Sequence, residues 1–280
     1  MAFEAARTLG DTEIVSVDSM QVYRGMDIGT AKPTAAERTE VQHHLLDLAD
    51  PDERFTVARF QEEFDKAIGR IEERGHRALL VGGTGLYLQA VVDRLSVPGE
   101  WPDIRDELAG TGTEGLYRRL EVLDPGAAAR IEPSNRRRVV RALEVTIGSG
   151  RPFSSFGPGI DAYPETPYSL TGVWLPRATL ARRIDARLRA QIEAGFVDEA
   201  MALEPRMSDT ARQALGYKEV LDHAAGRCSL DEALDAAARR TREFSRRQRM
   251  WFRRDPRIIW LATAGDPLDL LPVVLGDWRQ

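Results

Sequence analysis

Asp18-Ser-Met-Gln-Val-Tyr-Arg-Gly-Met-Asp-Ile-Gly-Thr-Ala-Lys-Pro-Thr34 follows directly on Glu13-Ile-Val-Ser-Val17, and the pair decides how the chain is read. The five residues before Asp18 are short, β-branched and mostly apolar, the signature of a buried strand. Two polar side chains, Asp18 and Ser19, then stand at the strand's C-terminal end, where ligands bind in open α/β sheets. The segment beyond them, with Gly25, Gly29 and Lys32-Pro33, fits neither helix nor strand. Unstructured loops of this length are uncommon and often functional. Asp-Ser after a strand is also a routine helix N-cap, and spacing alone favours neither reading.

Outward from this stretch, the pattern alternates strands with helices. Ala2 to Leu9 ends a helix at Gly10. Thr56 to Arg74 is a capped amphipathic helix with Val57, Phe60, Phe64, Ala67 and Ile71 at helical spacing and Gly75 as its stop. It leads to the apolar strand Ala78–Val81 and then to Gly82-Gly83-Thr84-Gly85, a turn whose backbone can approach an anion closely. From Pro98 to about Tyr168 the pattern is helical and charged, punctuated by prolines, and reads as an insertion. Thr171–Leu175 returns as a core strand, and the helix after Pro176 carries Leu180, Ile184, Leu188 and Ile192 on one face. Arg183 and Arg187, four apart, share another face and can converge on one anion. A last long helix runs from Ser229 to about Arg253, and Ile258–Leu261 closes the chain as a strand. Phe244, Trp251 and Phe252, at i, i+7 and i+8, read as core residues. The expected organisation is an α/β core over residues 1–97 and 169–280, with a helical domain inserted at 98–168.

Composition sets limits. In 280 residues, 42% are hydrophobic and 30% charged, ordinary globular values that permit a real core. No apolar run reaches the length of a membrane span, and the single Cys228 rules out an internal disulfide and fits the cytoplasm. The net charge of −5 argues against a nucleic-acid partner, but arginines cluster at Arg136–Arg138 with Arg141 and again from Arg239 to Arg254. An acidic protein can still carry a basic face that neutralises phosphates. His43 and His44 invite a metal reading; adjacent residues in a strand point to opposite faces and cannot both chelate one ion.

Asp-Ser-x-Gln-x-Tyr followed by Gly-Met-Asp-Ile-Gly-Thr-Ala-Lys-Pro closely resembles the tRNA dimethylallyltransferases, also called tRNA isopentenyltransferases. The likeness continues through Gly82-Gly-Thr84, Arg137-Arg-Val-Val-Arg141, Arg183-Ile-x-x-Arg187 and Arg212-Gln-x-x-Gly-Tyr-Lys218 to the C-terminal arginines. It implies a P-loop NTPase-like parallel sheet flanked by helices, with the helical insertion clamping the anticodon arm of tRNA. Members begin with a strand and a Gly-x-x-x-x-Gly-Lys-Ser/Thr phosphate loop. Neither occurs in this sequence, so the expectation is a start codon placed too late or a truncated product.

The implied reaction is alkyl transfer. The N6 amine of the adenosine 3′-adjacent to the anticodon attacks the first carbon of dimethylallyl diphosphate, and pyrophosphate leaves. The resemblance makes Asp18 the general base and makes Asp18, Ser19, Met20 and Gln21 the segment that reads the base. Arg187, also catalytic, and Arg183 approach the pyrophosphate. Thr84, Arg105, Arg137, Arg138, Arg141, Arg212, Gln213 and Lys218 are carried over as tRNA contacts. Mg²⁺ is the expected cofactor, with ligands unknown, and the chain is expected to be a cytoplasmic monomer without a membrane partner. Three other readings remain: an adenylate isopentenyltransferase acting on a free nucleotide, a small-molecule kinase, and an inactive tRNA-binding remnant.

Overall fold

The computed structural model describes residues 1–278, and they form two compact units, one from Met1–Val92 with Glu165 onward and one from Asp93–Pro164. In the first unit the centre is β1 (Thr12–Val17), buried along its whole length. β1 lies between β2 (His43–His44) and β3 (Arg77–Gly82), and both neighbours run parallel to it. Alternating side chains divide its two faces. Val15 and Val17 enter the larger core, with Phe60 and Phe64 of α3 (Val57–Glu73) and Tyr87 of α4 (Gly85–Val92). Ile14 faces the other way, against Ala6 of α1 (Ala2–Leu9) and Val41 just after α2 (Ala35–Glu40). The sequence placed α1, β1, α3 and β3 within a residue or two of these bounds. Thr56 caps α3 by accepting the Arg59 N–H at 3.2 Å, which satisfies a backbone donor that the first turn leaves without a partner.

Later in the same unit, β4 (Thr171–Trp174) and β5 (Ile259–Ala262) pair with each other in parallel as a separate two-stranded sheet. This corrects the reading of Thr171–Leu175 as a core strand. Every residue of β4 is half-buried, and its apolar content goes into an edge-to-face contact of Trp174 with Trp260, at 6.0 Å between ring centres. A run of apolar and aromatic residues looks the same in sequence whether both faces are covered or one. The larger core is completed by Phe196 and Tyr217, edge-to-face at 4.8 Å.

The second unit is helical: α5 (Pro102–Ala109), α6 (Thr113–Leu123), α7 (Pro125–Ala128) and α8 (Arg136–Ser149). Its own core holds Leu108, Leu116, Leu120, Val139 and Leu143. The fully buried Glu144 of α8 receives the Trp101 N–H at 2.8 Å and two Arg105 nitrogens at 2.9–3.1 Å, and pairs with Arg141 at 3.0 Å. A buried carboxylate so surrounded stays ionised despite desolvation, and its pKa lies below the ordinary value.

The remaining helices return to the first unit: α9 (Arg177–Glu193), α10 (Phe196–Leu203), α11 (Tyr217–Ala224), α12 (Leu230–Phe252) and α13 (Leu271–Trp278). A capping box of Ser229 and Glu232 starts α12.

Candidate active site

β1 and β3 end level, since Val17 is paired with Gly82. A Cβ on Gly82 would stand 2.0 Å from the Val17 carbonyl oxygen, so only glycine fits this close backbone approach. The pairing sets the two turns that follow side by side. Thr84 Oγ1 accepts the Ser19 N–H at 3.2 Å and lies 3.3 Å from the Ser19 hydroxyl. Asp18 Oδ1 accepts the N–H groups of Met20 at 2.8 Å and Gln21 at 3.3 Å, which tightens the turn after β1. No hydrogen bond to the second carboxylate oxygen of Asp18 occurs among the described residues, so this oxygen can serve a ligand.

Arg187 on α9 answers that carboxylate. Its side chain is open to solvent, yet surrounding protein pushes the guanidinium below its ordinary value while the charge of Asp18 pulls it back up. A cation in this position, flanked by protein but reached by water, suits an anionic ligand. Arg183, one turn earlier, is exposed and makes no ion pair among the described residues.

From the other side, α12 packs on the glycine turn. Gln248 Nε2 donates to the Gly83 carbonyl at 2.9 Å, and the Trp251 ring occupies the space a Cβ on Gly85 would need. Phe244, Trp251 and Phe252 are half-buried rather than core residues. Arg249 turns inward onto the Trp174 ring at 4.1 Å, while Arg246, Arg247, Arg253 and Arg254 stay exposed.

The irregular segment after Asp18 is a knot of hydrogen bonds. Gln21 Nε2 donates to the carbonyls of Thr30 and Ala31 at 3.1 and 3.3 Å, and its Oε1 accepts the Ser16 hydroxyl at 2.8 Å. The buried Lys32 ammonium reaches Tyr23 O, Asp27 and Asp47 at 2.5–2.8 Å. Gly29 packs so closely on Phe196 and Tyr217 that a Cβ would lie 2.3 and 2.5 Å from their rings. Lys32 reads in the sequence only as part of an irregular polar segment, without its burial or partners, and Glu199, which holds the loop from outside, is not marked out at all. Lys32 sits in a loop where an exposed charge is the default reading, and Glu199 resembles any acid in a helix's first turn.

The remaining expected tRNA contacts divide. Arg137 and Arg138 are exposed on α8, and Lys218 is exposed on α11. Arg105 and Arg141 are half-buried and committed to Glu144, so their first role is to hold the helical unit together. Arg212 donates to the carbonyls of Met207 and Glu204, and Gln213 O accepts from Arg240. Arg212, Gln213 and Lys218 line a groove of about 500 Å³ with Glu204, Glu219 and Arg240. Tyr217, beside Lys218, is fully buried and serves packing.

At the opposite end of β1, Glu13 binds Arg74, His44 and His76. His43 turns to the Val41 carbonyl at 2.6 Å, so the adjacent histidines do diverge. No group of three or more His, Cys, Asp or Glu side chains among the described residues is placed to hold a metal ion. No described helix is long and apolar enough to cross a membrane.

Comparison with known proteins identifies the family. The sequence model of the IPP transferase family matches residues 21–255. A tRNA dimethylallyltransferase of Kineococcus radiotolerans is 48% identical over 94% of this chain and 85% of its own. That of Geobacter metallireducens is 44% identical over 99% and 92%. The full-length tRNA isopentenylpyrophosphate transferase of Bacillus halodurans superposes with a TM-score of 0.70 at 37% identity, over 99% of this chain and 90% of that one. A eukaryotic dimethylallyltransferase acting on tRNA shares the fold, with a TM-score of 0.78 at 24% identity. The parallel sheet flanked by helices is thus the P-loop NTPase-like fold of these enzymes. With a family model matched over most of its length and relatives 44–48% identical, the chain belongs to the IPP transferase family, with the tRNA dimethylallyltransferases.

Proposed function

We propose that this chain transfers a dimethylallyl group from dimethylallyl diphosphate to the N6 amine of the adenosine 3′-adjacent to the anticodon of tRNA. The observation that carries the reading is Asp18 at the end of β1, with one carboxylate oxygen left over by the hydrogen bonds of its turn and the charge of Arg187 close enough to interact with it. An adenine amine is a weak nucleophile, and a base inside its stack is out of reach, so the base must be extruded. The Asp18 carboxylate orients the amine and takes its proton as the N6–C1 bond forms. The C1–O bond breaks, its electron pair leaves with pyrophosphate, and Arg187 and Arg183 meet the charge that gathers there.

Mg²⁺ fits this site as a guest of the substrate. Beside Asp18 stand the hydroxyls of Ser19 and Thr84, which already bond to one another, and no cluster of three His, Cys, Asp or Glu side chains placed to hold a metal occurs among the described residues. The ion would be held mostly by diphosphate and water, as Mg²⁺ prefers, and supplies charge neutralisation on the leaving group.

Exposed Arg137, Arg138 and Lys218, with Arg212 and Gln213, are proposed to contact tRNA phosphates, and Ser19, Met20, Gln21 and Thr84 to border the base. Arg105 and Arg141, expected from the resemblance to touch tRNA, are bound to Glu144, and Arg141 also to the Pro98 carbonyl, so they are proposed to support the RNA-facing helices from within. Acting on tRNA places the protein in the cytoplasm. A free nucleotide as acceptor gains no support, since the curated relatives are named for tRNA.

The test is transfer of a labelled dimethylallyl group to unmodified tRNA, with Asp18→Ala beside the parent and free AMP as rival acceptor. Label on tRNA, lost by about a hundredfold or more in D18A, is the expected result. Label on AMP alone, no label at all, or an unaffected D18A overturns the proposal.

A further inference from the structure

Glu199, in the first turn of α10, has no part in the chemistry above, yet it holds three consecutive backbone N–H groups of the loop after β1. Its Oε2 accepts the N–H groups of Asp27 at 2.9 Å and Ile28 at 2.7 Å, and its Oε1 accepts Gly29 N–H at 3.0 Å. Three successive backbone donors converging on one carboxylate form a nest, a concavity that favours an anion. The fourth donor is the buried Tyr217 hydroxyl at 2.6 Å. Burial and the neighbouring carboxylate push that hydroxyl's pKa up, so it stays a donor. From the same side, Gln191 Nε2 donates to the carbonyls of Ile28 at 2.6 Å and Gly29 at 3.2 Å.

The next two residues of the loop, Thr30 and Ala31, present their carbonyls to the Gln21 amide, and the Gln21 N–H is bound to Asp18. A displacement of residues 27–29 therefore moves the carbonyls that orient Gln21, and with them the turn anchored on Asp18. We infer that Glu199 is a positioning residue for the Asp18–Gln21 segment, acting through the backbone of Asp27–Gly29. The inference rests on the transfer reaction proposed above. It also gives the Gly216-Tyr217 pair a structural role, since Tyr217 braces the carboxylate and Gly216, at φ +91°, lets the chain pass Phe196.

Glu199→Gln keeps the shape but turns an NH₂ group toward backbone donors. Two readouts apply: steady-state kinetics, and hydrogen exchange of the Met20 and Gln21 amides. The control is Ile71→Val, a core change that lowers stability without touching the loop. Expected for E199Q is a fall of about tenfold in kcat/KM for tRNA, with the KM for dimethylallyl diphosphate held within about twofold. Exchange at Met20 and Gln21 should be faster, and I71V should show neither change. If E199Q does not fold, Gln191→Met is expected to give the same pattern at smaller size. Unchanged exchange and kinetics in the folded variant, or the same changes in I71V, overturn the inference. A parent protein that labels no tRNA overturns the proposed function itself, whatever E199Q does to exchange.

Discussion

Thr84 Oγ1 receives the backbone N–H of Ser19 at 3.2 Å, joining two turns 65 residues apart in sequence. The bond is possible because β1 and β3 end in register, and it holds Asp18 level with the glycine turn. Thr84→Val keeps the volume and removes the acceptor. Leaving the Ser19 N–H without a partner is expected to cost about 1 kcal/mol of stability and to lower kcat for transfer about tenfold. Chemical denaturation and single-turnover rates check the two parts separately.

Gly29→Ala should be among the most damaging small substitutions in the chain. The added methyl would meet the rings of Phe196 and Tyr217 at 2.3 and 2.5 Å, and both rings lie in the core with little room to move. Overpacking of this kind is expected to destabilise by about 1–3 kcal/mol. A denaturation midpoint equal to the parent's would count against the packing described here.

The Glu13 cluster predicts an acid limb in stability. Hydrogen bonds from Arg74, and then from His44 and His76, outweigh burial and hold the Glu13 carboxyl at about 2. A carboxyl depressed in the fold stabilises it above the unfolded pKa, and that contribution is lost as pH falls from about 4.5 toward 2. The loss amounts to about 3 kcal/mol at most. Urea unfolding between pH 7 and pH 3 should show a decline that Glu13→Gln flattens, with Glu13→Gln already weaker at pH 7.

If Arg137 and Arg138 meet RNA phosphates, their joint change to Ala should weaken tRNA binding to a similar degree whatever the sequence. The slope of log affinity against log salt should become shallower by about 1–2. Arg105→Ala is expected to behave differently, loosening the helical unit by about 1–2 kcal/mol, because the buried Glu144 then keeps only Arg141 and the Trp101 N–H as partners. A salt titration and a melting curve on each variant separate the two behaviours.

What the sequence revealed and what it concealed follow from the range of the interactions. α3 could be read because Phe60, Phe64, Ala67 and Ile71 repeat at a local period, and β1 because its run of apolar residues ends in a polar pair. Asp18 and Ser19 stood out as a polar pair at a strand end and Arg183 and Arg187 as a pair at helical spacing, while the roles expected of them came from family resemblance. Glu144 could not be recognised as the partner of Arg105, because the two lie 39 residues apart. Tyr217 was placed in a segment expected to meet RNA, yet a buried tyrosine and an exposed one are the same letter. Lys32 was hidden for the same reason, since its two carboxylate partners come from different parts of the chain.

Lys32 also bears on how the substrate is met. A loop with almost no regular structure would ordinarily lose much of its conformational freedom at the moment of association, at roughly 1–2 kcal/mol per residue fixed. Here the ammonium, closed around Tyr23 O, Asp27 and Asp47, freezes that segment when the chain folds. The ordering is complete before any substrate arrives, so under the reaction proposed above the free energy of contact with tRNA would be available for extruding one base.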